Sequence, residues 1–296
     1  MTQPVTALEE REGTVKTPDG LELHYVSRRD PTVAPKRLVV TIHGFADHSG
    51  RMPFLVDHLA RRGAVVYSYD QRGNGRSPGQ RGHLMRYREL AEDFDAFLKL
   101  ATEVEPGLER VVFGHSTGGI LAMLFAIDHP QRMDRLVLSA PALLLTFQPP
   151  KWKELMGKTL SSILPRVSLN AGFSPGAVSR DQAVVAANVA DPLVTQAIST
   201  RFYQQVYMTA APNALSRIEQ LTVPFLLIQG TRDRLVAPAV ADEFERRATA
   251  PHEIKRYHGA YHETFNDTDR EKVFADLDAW LENPISLSWQ PLRGPG

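Results

Sequence analysis

The stretch Arg110-Val-Val-Phe-Gly114-His115-Ser116-Thr117-Gly118-Gly119, continued by Ile-Leu-Ala-Met to residue 123, decides the interpretation of this sequence. A β-branched run leads into the pattern Gly-x-Ser-x-Gly, and a run with helical periodicity follows, which is the order of a nucleophile elbow. Such an elbow carries its serine on a strained turn, where side chains at Gly114 and Gly118 would collide with neighbouring backbone. The bare pattern is weak evidence, but its position between a strand and a helix predicts that Ser116 is a nucleophile.

Apolar, β-branched runs of this kind recur on both sides of the elbow, and segments with helical periodicity separate them. The apolar runs are residues 37–42, 64–69, 110–113, 135–139 and 224–229, and the helical segments are 52–62, 84–104, 119–129 and 269–281. Strands that alternate with helices predict an α/β fold, with a mostly parallel sheet and helices on both faces. Two alternating runs around Pro18-Asp19-Gly20 predict an antiparallel hairpin at one edge.

The alternation stops after Pro141 and resumes at Pro224. The sequence between them shows no clean buried strand, has apolar helical patches, and is too long for a loop in a compact domain. We therefore predict a helical lid at residues 141–216, inserted into a core of residues 1–140 and 217–283. The tail at residues 284–296 is rich in Pro and Gly and is predicted to be loosely ordered.

A serine nucleophile needs a base and an orienting acid, which follow a nucleophile elbow in the order acid, then histidine. Asp233 comes just after the apolar run that ends at Gln229, and His262 lies in a loop before the last predicted helix. We expect both at the same sheet edge as Ser116, with His262 as the base and Asp233 fixing its tautomer. His258 is the alternative base, but it directly follows residues 252–257, which we predict as the last strand, and so lies too early in the loop.

The oxyanion of an acyl-transfer reaction needs two backbone N–H donors. We expect one from Thr117 and one from Phe45, in the loop 43–50, where Gly44 lets the chain fold back. His43 has no partner at zinc-binding spacing and is predicted to support this loop. The elbow itself comprises Gly114, His115 and Gly118 around the nucleophile.

Composition excludes several classes of function. The 34 basic residues balance the 34 acidic ones, which gives no indication of a nucleic-acid partner. The absence of cysteine excludes a disulfide framework, a thiolate zinc site and a cysteine nucleophile. The polar N-terminus and the lack of a long apolar run lead us to expect no signal peptide, no membrane span and a cytoplasmic protein. We expect no metal and no cofactor. The sequence does not indicate whether the protein is a monomer or an oligomer.

Six sequence blocks together resemble the monoacylglycerol lipase and lysophospholipase branch of the α/β hydrolases. They span residues 43–51, 70–77, 114–119, 139–142, 230–233 and 261–263. The resemblance covers the core to about residue 281 and implies an α/β-hydrolase fold, an acyl-enzyme and one fatty acyl chain on glycerol or on a lysophospholipid. The family has Glu where this chain has Asp47 and His where it has Asn74, which puts details of substrate choice in question.

The apolar residues of the predicted lid allow three interpretations. They could line an acyl channel, lie transiently on a membrane surface, or pack the lid onto the core. The residues that we consider for substrate binding are Trp152, Leu155, Met156, Leu160 and Ile163.

Other functions remain open for this fold. A short-chain carboxylesterase or an aminopeptidase would keep the serine, and Glu154, Asp181 and Asp191 in the predicted lid could bind a substrate amine. Dehalogenases and epoxide hydrolases have Asp at the elbow, so Ser116 argues against them. A non-catalytic binding protein would be expected to lack one of the three residues Ser116, Asp233 and His262, and all are present.

Overall fold

The computed structural model describes residues 7–147 and 151–283. Within the second range, only the backbone of residues 151–156 is described. Its strands are, in chain order, β1 (Glu9–Lys16), β2 (Glu22–Arg29), β3 (Arg37–Ile42), β4 (Ala64–Tyr69), β5 (Glu109–His115), β6 (Arg135–Ser139), β7 (Ser168–Asn170), β8 (Ala197–Ser199), β9 (Phe225–Gly230) and β10 (His252–Tyr257). Its α-helices are α1 (Pro53–Arg61), α2 (Tyr87–Val104), α3 (Thr117–Asp128), α4 (Lys151–Ile163), α5 (Gln182–Ala190), α6 (Thr200–Gln205), α7 (Ala211–Ser216), α8 (Val240–Arg247) and α9 (Arg270–Glu282).

Eight strands form one sheet in the order β1-β2-β4-β3-β5-β6-β9-β10. The hairpin of β1 and β2 is antiparallel, with Lys16 opposite Glu22, and β2 pairs antiparallel with β4. The remaining pairs are all parallel. The mostly parallel sheet with an antiparallel hairpin at its edge is therefore confirmed.

Two apolar cores cover the two faces of this sheet. On one face, Phe94 and Phe97 of α2 pack with Ile120 of α3 and Phe244 of α8. On the other face, the core contains Leu55 and Leu59 of α1 together with Val273 and Leu277 of α9. The strands β3, β4, β6 and β9 are buried at every position, which explains their continuously apolar sequences.

The chain between β6 and β9 leaves the sheet and carries four helices and a separate two-stranded sheet of β7 and β8. We call residues 141–216 the insertion. Arg180 attaches it to Asp267 and Asp269, with distances of 2.9 and 2.8 Å, and Asp181 lies 3.2 Å from Arg270. A π-helical turn, Val206–Ala210, joins α6 to α7. The role of the insertion as a lid stays a prediction.

The predicted tail at residues 284–296 lies outside the described residues. In the described part of the chain, no helix combines the length and the hydropathy that crossing a bilayer requires.

Candidate active site

Ser116 occupies a strained turn between β5 and α3. Its φ of 54° lies in the left-handed region that residues other than glycine rarely adopt. A Cβ at Gly114 would approach Gly118 O to 2.6 Å, and one at Gly118 would approach Ile42 O to 2.3 Å, so only glycine fits at either position. The backbone N–H of Ser116 donates to Ser139 O (2.9 Å), which ties the turn to β6.

The loop after β3 lies directly against this serine. A Cβ at Gly44 would lie 3.1 Å from Ser116 Cβ, so a larger residue at position 44 would push the loop away from Ser116. His43 Nδ1 bonds Gly44 O (2.7 Å), and its Nε2 accepts the backbone N–H of Gln71 (3.0 Å). Burial lowers the pKa of His43 to about 4, so its ring is a neutral support for the loop.

His262 and Asp233 form a buried pair beside the elbow. His262 Nδ1 lies 2.8 Å from Asp233 Oδ2, and Asp233 Oδ1 accepts the backbone N–H groups of Leu235 (2.8 Å) and Val236 (3.0 Å). Burial opposes protonation of the imidazole, but the charge and the hydrogen bond of Asp233 outweigh it and raise the pKa of His262. Burial also opposes ionisation of Asp233, but His262 and the two N–H groups hold the pKa of this carboxyl below its usual value. The pair therefore combines an ionised carboxylate with an oriented imidazole.

His115, inside the elbow, packs its ring against that of His262, with 4.7 Å between the ring centroids. Its Nδ1 lies 3.2 Å from Ser139 Oγ. Burial, together with the nearby imidazole of His262, lowers the pKa of His115 to about 3. This ring is therefore neutral and adds no charge beside His262.

A cavity of about 80 Å³ is lined by Ser116, His262 and Phe45. Most of its other described lining is apolar and includes Ala142, Leu145, Phe173, Val194, Tyr207 and Val236. Tyr207 lies in the π-helical turn and was not anticipated from the sequence; turns of this kind often occur at functional sites. The structure thus brings four of the predicted site residues, Phe45, His115, Ser116 and His262, to one cavity, and Asp233 is bonded to His262.

Two carboxyl groups line the cavity, and one guanidinium lies close to both of them. Asp47 and Glu263 both line the cavity, and Arg51 lies 3.5 Å from Asp47 Oδ1 and 3.9 Å from Glu263 Oε2. All three are at least nine-tenths buried. Asp47 Oδ1 and Arg51 Nε make no hydrogen bond with any described residue. Burial, reinforced by the charge of Glu263, raises the pKa of Asp47 well above its usual value. We call Asp47, Arg51 and Glu263 the polar cluster.

Sequence patterns alone assign the polar cluster no role. Asp47 and Arg51 stand out only as part of a block of resemblance, and Glu263 only as the neighbour of His262. The i,i+4 spacing of Asp47 and Arg51 is a usable signal for an ion pair. Their proximity to Glu263 arises only in the folded chain.

The predicted substrate-binding residues of the insertion do not converge on this cavity. Trp152, Leu155 and Met156 lie outside the residues whose side chains are described. Leu160 is half-buried and Ile163 is 70% exposed, and neither is among the described residues that line the cavity. The described insertion residues that do line it include Phe173, Val194 and Tyr207.

The acidic residues of the insertion are engaged elsewhere. Asp181 caps the N-terminus of α5, accepting the backbone N–H of Ala183 (3.0 Å), and also pairs with Arg270. Asp191 Oδ2 lies 2.9 Å from His48 Nε2. Glu154 lies outside the residues whose side chains are described, and the alternative base His258 is exposed to solvent.

Comparison with known proteins gives a consistent result. The sequence model of a family described as serine aminopeptidase, S33, matches residues 33–269. A monoacylglycerol lipase of Mycolicibacterium smegmatis is 32% identical over 252 residues, covering 85% of this chain and 90% of that protein. The monoglyceride lipase of Homo sapiens is 32% identical over 260 residues, covering 85% and 84%. The crystal structure of Paleococcus ferrophilus monoacylglycerol lipase superposes with a TM-score of 0.77 at 29% identity, covering 93% of this chain and 98% of that one.

Proposed function

Since the chain belongs to the α/β-hydrolase family described as serine aminopeptidase, S33, we propose that it hydrolyses monoacylglycerols through an acyl-enzyme on Ser116. It is a serine ester hydrolase, and relatives of similar length are monoacylglycerol lipases. The observation that carries the proposed substrate is the cavity that Ser116 and His262 share with a mostly apolar lining and with two buried carboxyl groups, Asp47 and Glu263. Such a cavity suits an ester with one acyl chain and a small, hydroxylated alcohol.

In the proposed reaction, Ser116 Oγ attacks the ester carbonyl while His262 Nε2 takes its proton. The N–H groups of Phe45 and Thr117 stabilise the oxyanion; Thr117 opens α3, so its N–H has no acceptor within the helix. His262 then returns the proton to the departing glycerol oxygen, which leaves the acyl group on Ser116. Water, activated by the same imidazole, releases the fatty acid and restores the serine.

The polar cluster supports glycerol as the alcohol. Glycerol hydroxyls both donate and accept hydrogen bonds, and Asp47, which lines the cavity, has an Oδ1 that makes no hydrogen bond with any described residue. The guanidinium of Arg51 already faces Asp47 and Glu263, so it is not free to bind the phosphate of a lysophospholipid. We therefore propose monoacylglycerol rather than a lysophospholipid as the preferred substrate.

Among the side chains that the structure describes around the cavity, the aminopeptidase alternative finds no free anionic partner for an ammonium group. The raised pKa of Asp47 shows that its carboxyl resists ionisation, and the charge of Glu263 faces Arg51. Of the three acidic residues that had kept this alternative open, Asp181 and Asp191 are paired outside the cavity, and Glu154 lies outside the residues whose side chains are described. These pairings favour a neutral hydroxylated group over an amine.

We further propose that the insertion acts as a lid. In the described part of the chain the cavity measures only about 80 Å³, so we expect long acyl chains to displace part of the insertion. Its exposed apolar residues, Ile163, Leu164, Val167 and Leu169, are 40–70% accessible and would lie on the lipid surface that delivers the substrate. A cytoplasmic enzyme that contacts membranes transiently fits this arrangement and stays a prediction.

Fatty-acid release from monoacylglycerols of increasing chain length tests the proposal. The panel includes p-nitrophenyl acetate, a lysophospholipid and an aminoacyl p-nitroanilide, each assayed with the unsubstituted enzyme and with Ser116→Ala. We expect serine-dependent rates that are highest on medium or long monoacylglycerols. Cleavage of the acetate alone would indicate a small-ester esterase, and preference for the anilide an aminopeptidase; either would overturn the proposed substrate.

A further inference from the structure

Gln229 is a buried polar residue in an otherwise apolar strand. It is the fifth residue of β9, only 1% exposed, and the four residues before it, from Phe225 to Ile228, are apolar and fully buried. Burying an amide is unfavourable unless its hydrogen bonds compensate for the water that it loses. A polar side chain at this point of the sheet therefore calls for a specific partner.

That partner is the acid of the proposed triad. Gln229 Nε2 donates to Asp233 Oδ2 at 3.1 Å and to the carbonyl of Gly230 at 3.3 Å. Its Oε1 is buried and accepts no hydrogen bond from any described residue. The amide thus directs its donor to Asp233 while its acceptor is unsatisfied within the described chain, which is an arrangement that a purely structural glutamine would be expected to avoid.

The contact completes the set of hydrogen bonds that fixes the carboxylate plane. Oδ1 of Asp233 accepts the N–H groups of Leu235 and Val236, and Oδ2 is shared between His262 Nδ1 at 2.8 Å and Gln229 Nε2 at 3.1 Å. Among the described side chains, only His262 would hold Oδ2 if Gln229 were absent. The oxygen that orients the base therefore carries a second, competing donor.

We propose that Gln229 is a positioning residue for ester hydrolysis, which holds the Asp233 carboxylate in one plane and limits the negative charge that it presents to His262. This inference rests on the function proposed above, because it acts through Asp233 and His262. Removing the donor leaves more charge on Oδ2 toward the imidazole and favours the imidazolium. The reaction needs the neutral imidazole, so its rate falls at low pH as His262 gains a proton. We call this fall in the pH profile of kcat/KM the acid limb, and without the donor it moves to higher pH.

Substituting Gln229 does not change the other charged groups around His262. The titratable groups that face the imidazole are Asp233, Glu263 and His115, and Glu263 in turn faces Arg51. His115 is neutral across the working range because its pKa is about 3. A shift of the acid limb on substitution of Gln229 alone therefore reports on Asp233.

The test is the pH dependence of kcat/KM for Gln229→Met, which keeps the length of the side chain and removes its N–H donors. The substrate is p-nitrophenyl butyrate, assayed from about pH 5 to about pH 9. We expect kcat to fall about 10-fold, KM to stay within about 2-fold, and the acid limb to move to higher pH. Ile228→Val, a neighbouring buried substitution, is the matched control and should lower the unfolding temperature without moving the limb.

A second variant keeps the test decisive if Gln229→Met does not fold. Gln229→Leu has a similar volume and no hydrogen-bonding atoms, so it should move the limb in the same direction as Gln229→Met. If kcat and the acid limb are unchanged in the folded variants, the proposal is wrong. It is also wrong if activity falls equally at every pH and in proportion to the loss of stability. Because the substrate is a p-nitrophenyl ester, the result does not depend on whether monoacylglycerols are the natural substrate. Activity that survives Ser116→Ala in the same assay would instead refute the proposed triad.

Discussion

His48, in the loop after β3, is bonded to Asp191 of the insertion, with 2.9 Å between Nε2 and Oδ2. Beside this contact, the backbone N–H of Thr195 donates to Ala46 O at 3.3 Å. The loop includes Phe45, whose N–H we propose as an oxyanion donor. The insertion is therefore attached directly to the segment that would stabilise the transition state, and not only to the periphery of the core.

Asp191→Ala should lower kcat on p-nitrophenyl butyrate by about 10-fold, because it frees the loop that carries Phe45 from the insertion. The matched control is Asp181→Ala, which weakens a different attachment of the insertion, the one to Arg270. That control should lower the unfolding temperature, since it also removes a helix N-cap, and leave kcat within about 2-fold. Equal losses of kcat in the two variants would contradict a specific link between Asp191 and the oxyanion loop.

Ser116→Ala should lower kcat by about four to six orders of magnitude and leave the folded structure intact, because only the nucleophilic oxygen is removed. Near-ultraviolet circular dichroism and the unfolding temperature check the fold. Ser174→Ala is the matched control, since Ser174 lines the same cavity but has no base beside it in our proposal. A Ser116→Ala enzyme with a tenth of the original activity would refute the nucleophile.

Local sequence signals were sufficient for the core of the fold. The apolar runs that predicted buried strands correspond to β3, β4, β5, β6 and β9, and the predicted helices to α1, α2, α3 and α9. Helix α8 was missed because it is only eight residues long and rich in charged residues. Strands β7 and β8 are three residues each, and β7 is fully exposed, so neither has an apolar run that a sequence pattern could reveal.

The residues of the candidate site also fall into two groups, those that the sequence could predict and those that it could not. Ser116, Asp233 and His262 could be proposed from the sequence because each follows a strand, and the carboxyl ends of parallel strands meet at one edge. The polar cluster and Gln229 could not, because their roles depend on contacts that form only when the chain folds. Arg51 and Glu263, for example, lie in different loops of the sequence, one near each end of the chain, yet are 3.9 Å apart.

Glu263→Gln should move the acid limb of kcat/KM to lower pH. The charge of Glu263 is one of the contributions that raise the pKa of His262, so removing it lowers that pKa. Activity requires the neutral imidazole, which then persists to lower pH. The measurement uses p-nitrophenyl butyrate, which has no glycerol to contact residue 263. Glu271→Gln, on the exposed first turn of α9, is the control and should leave the limb in place; a limb that moves equally in both variants, or moves to higher pH, would contradict this account.

Asp47→Leu should raise KM for a monoacylglycerol by about 10-fold, because it removes a buried hydrogen-bonding group from the lining of the cavity. The rate on p-nitrophenyl butyrate, whose alcohol has no glycerol hydroxyls, should stay within about 2-fold. Asp47→Asn provides the sharper comparison. Burial and the charge of Glu263 raise the pKa of Asp47, so its carboxyl keeps its proton to higher pH than an ordinary aspartate does, and an amide resembles that neutral form. The Asp47→Asn variant should therefore retain most of the monoacylglycerol activity that the Asp47→Leu variant loses. Equal losses on both substrates in Asp47→Leu would show that Asp47 supports the oxyanion loop and does not contact the alcohol.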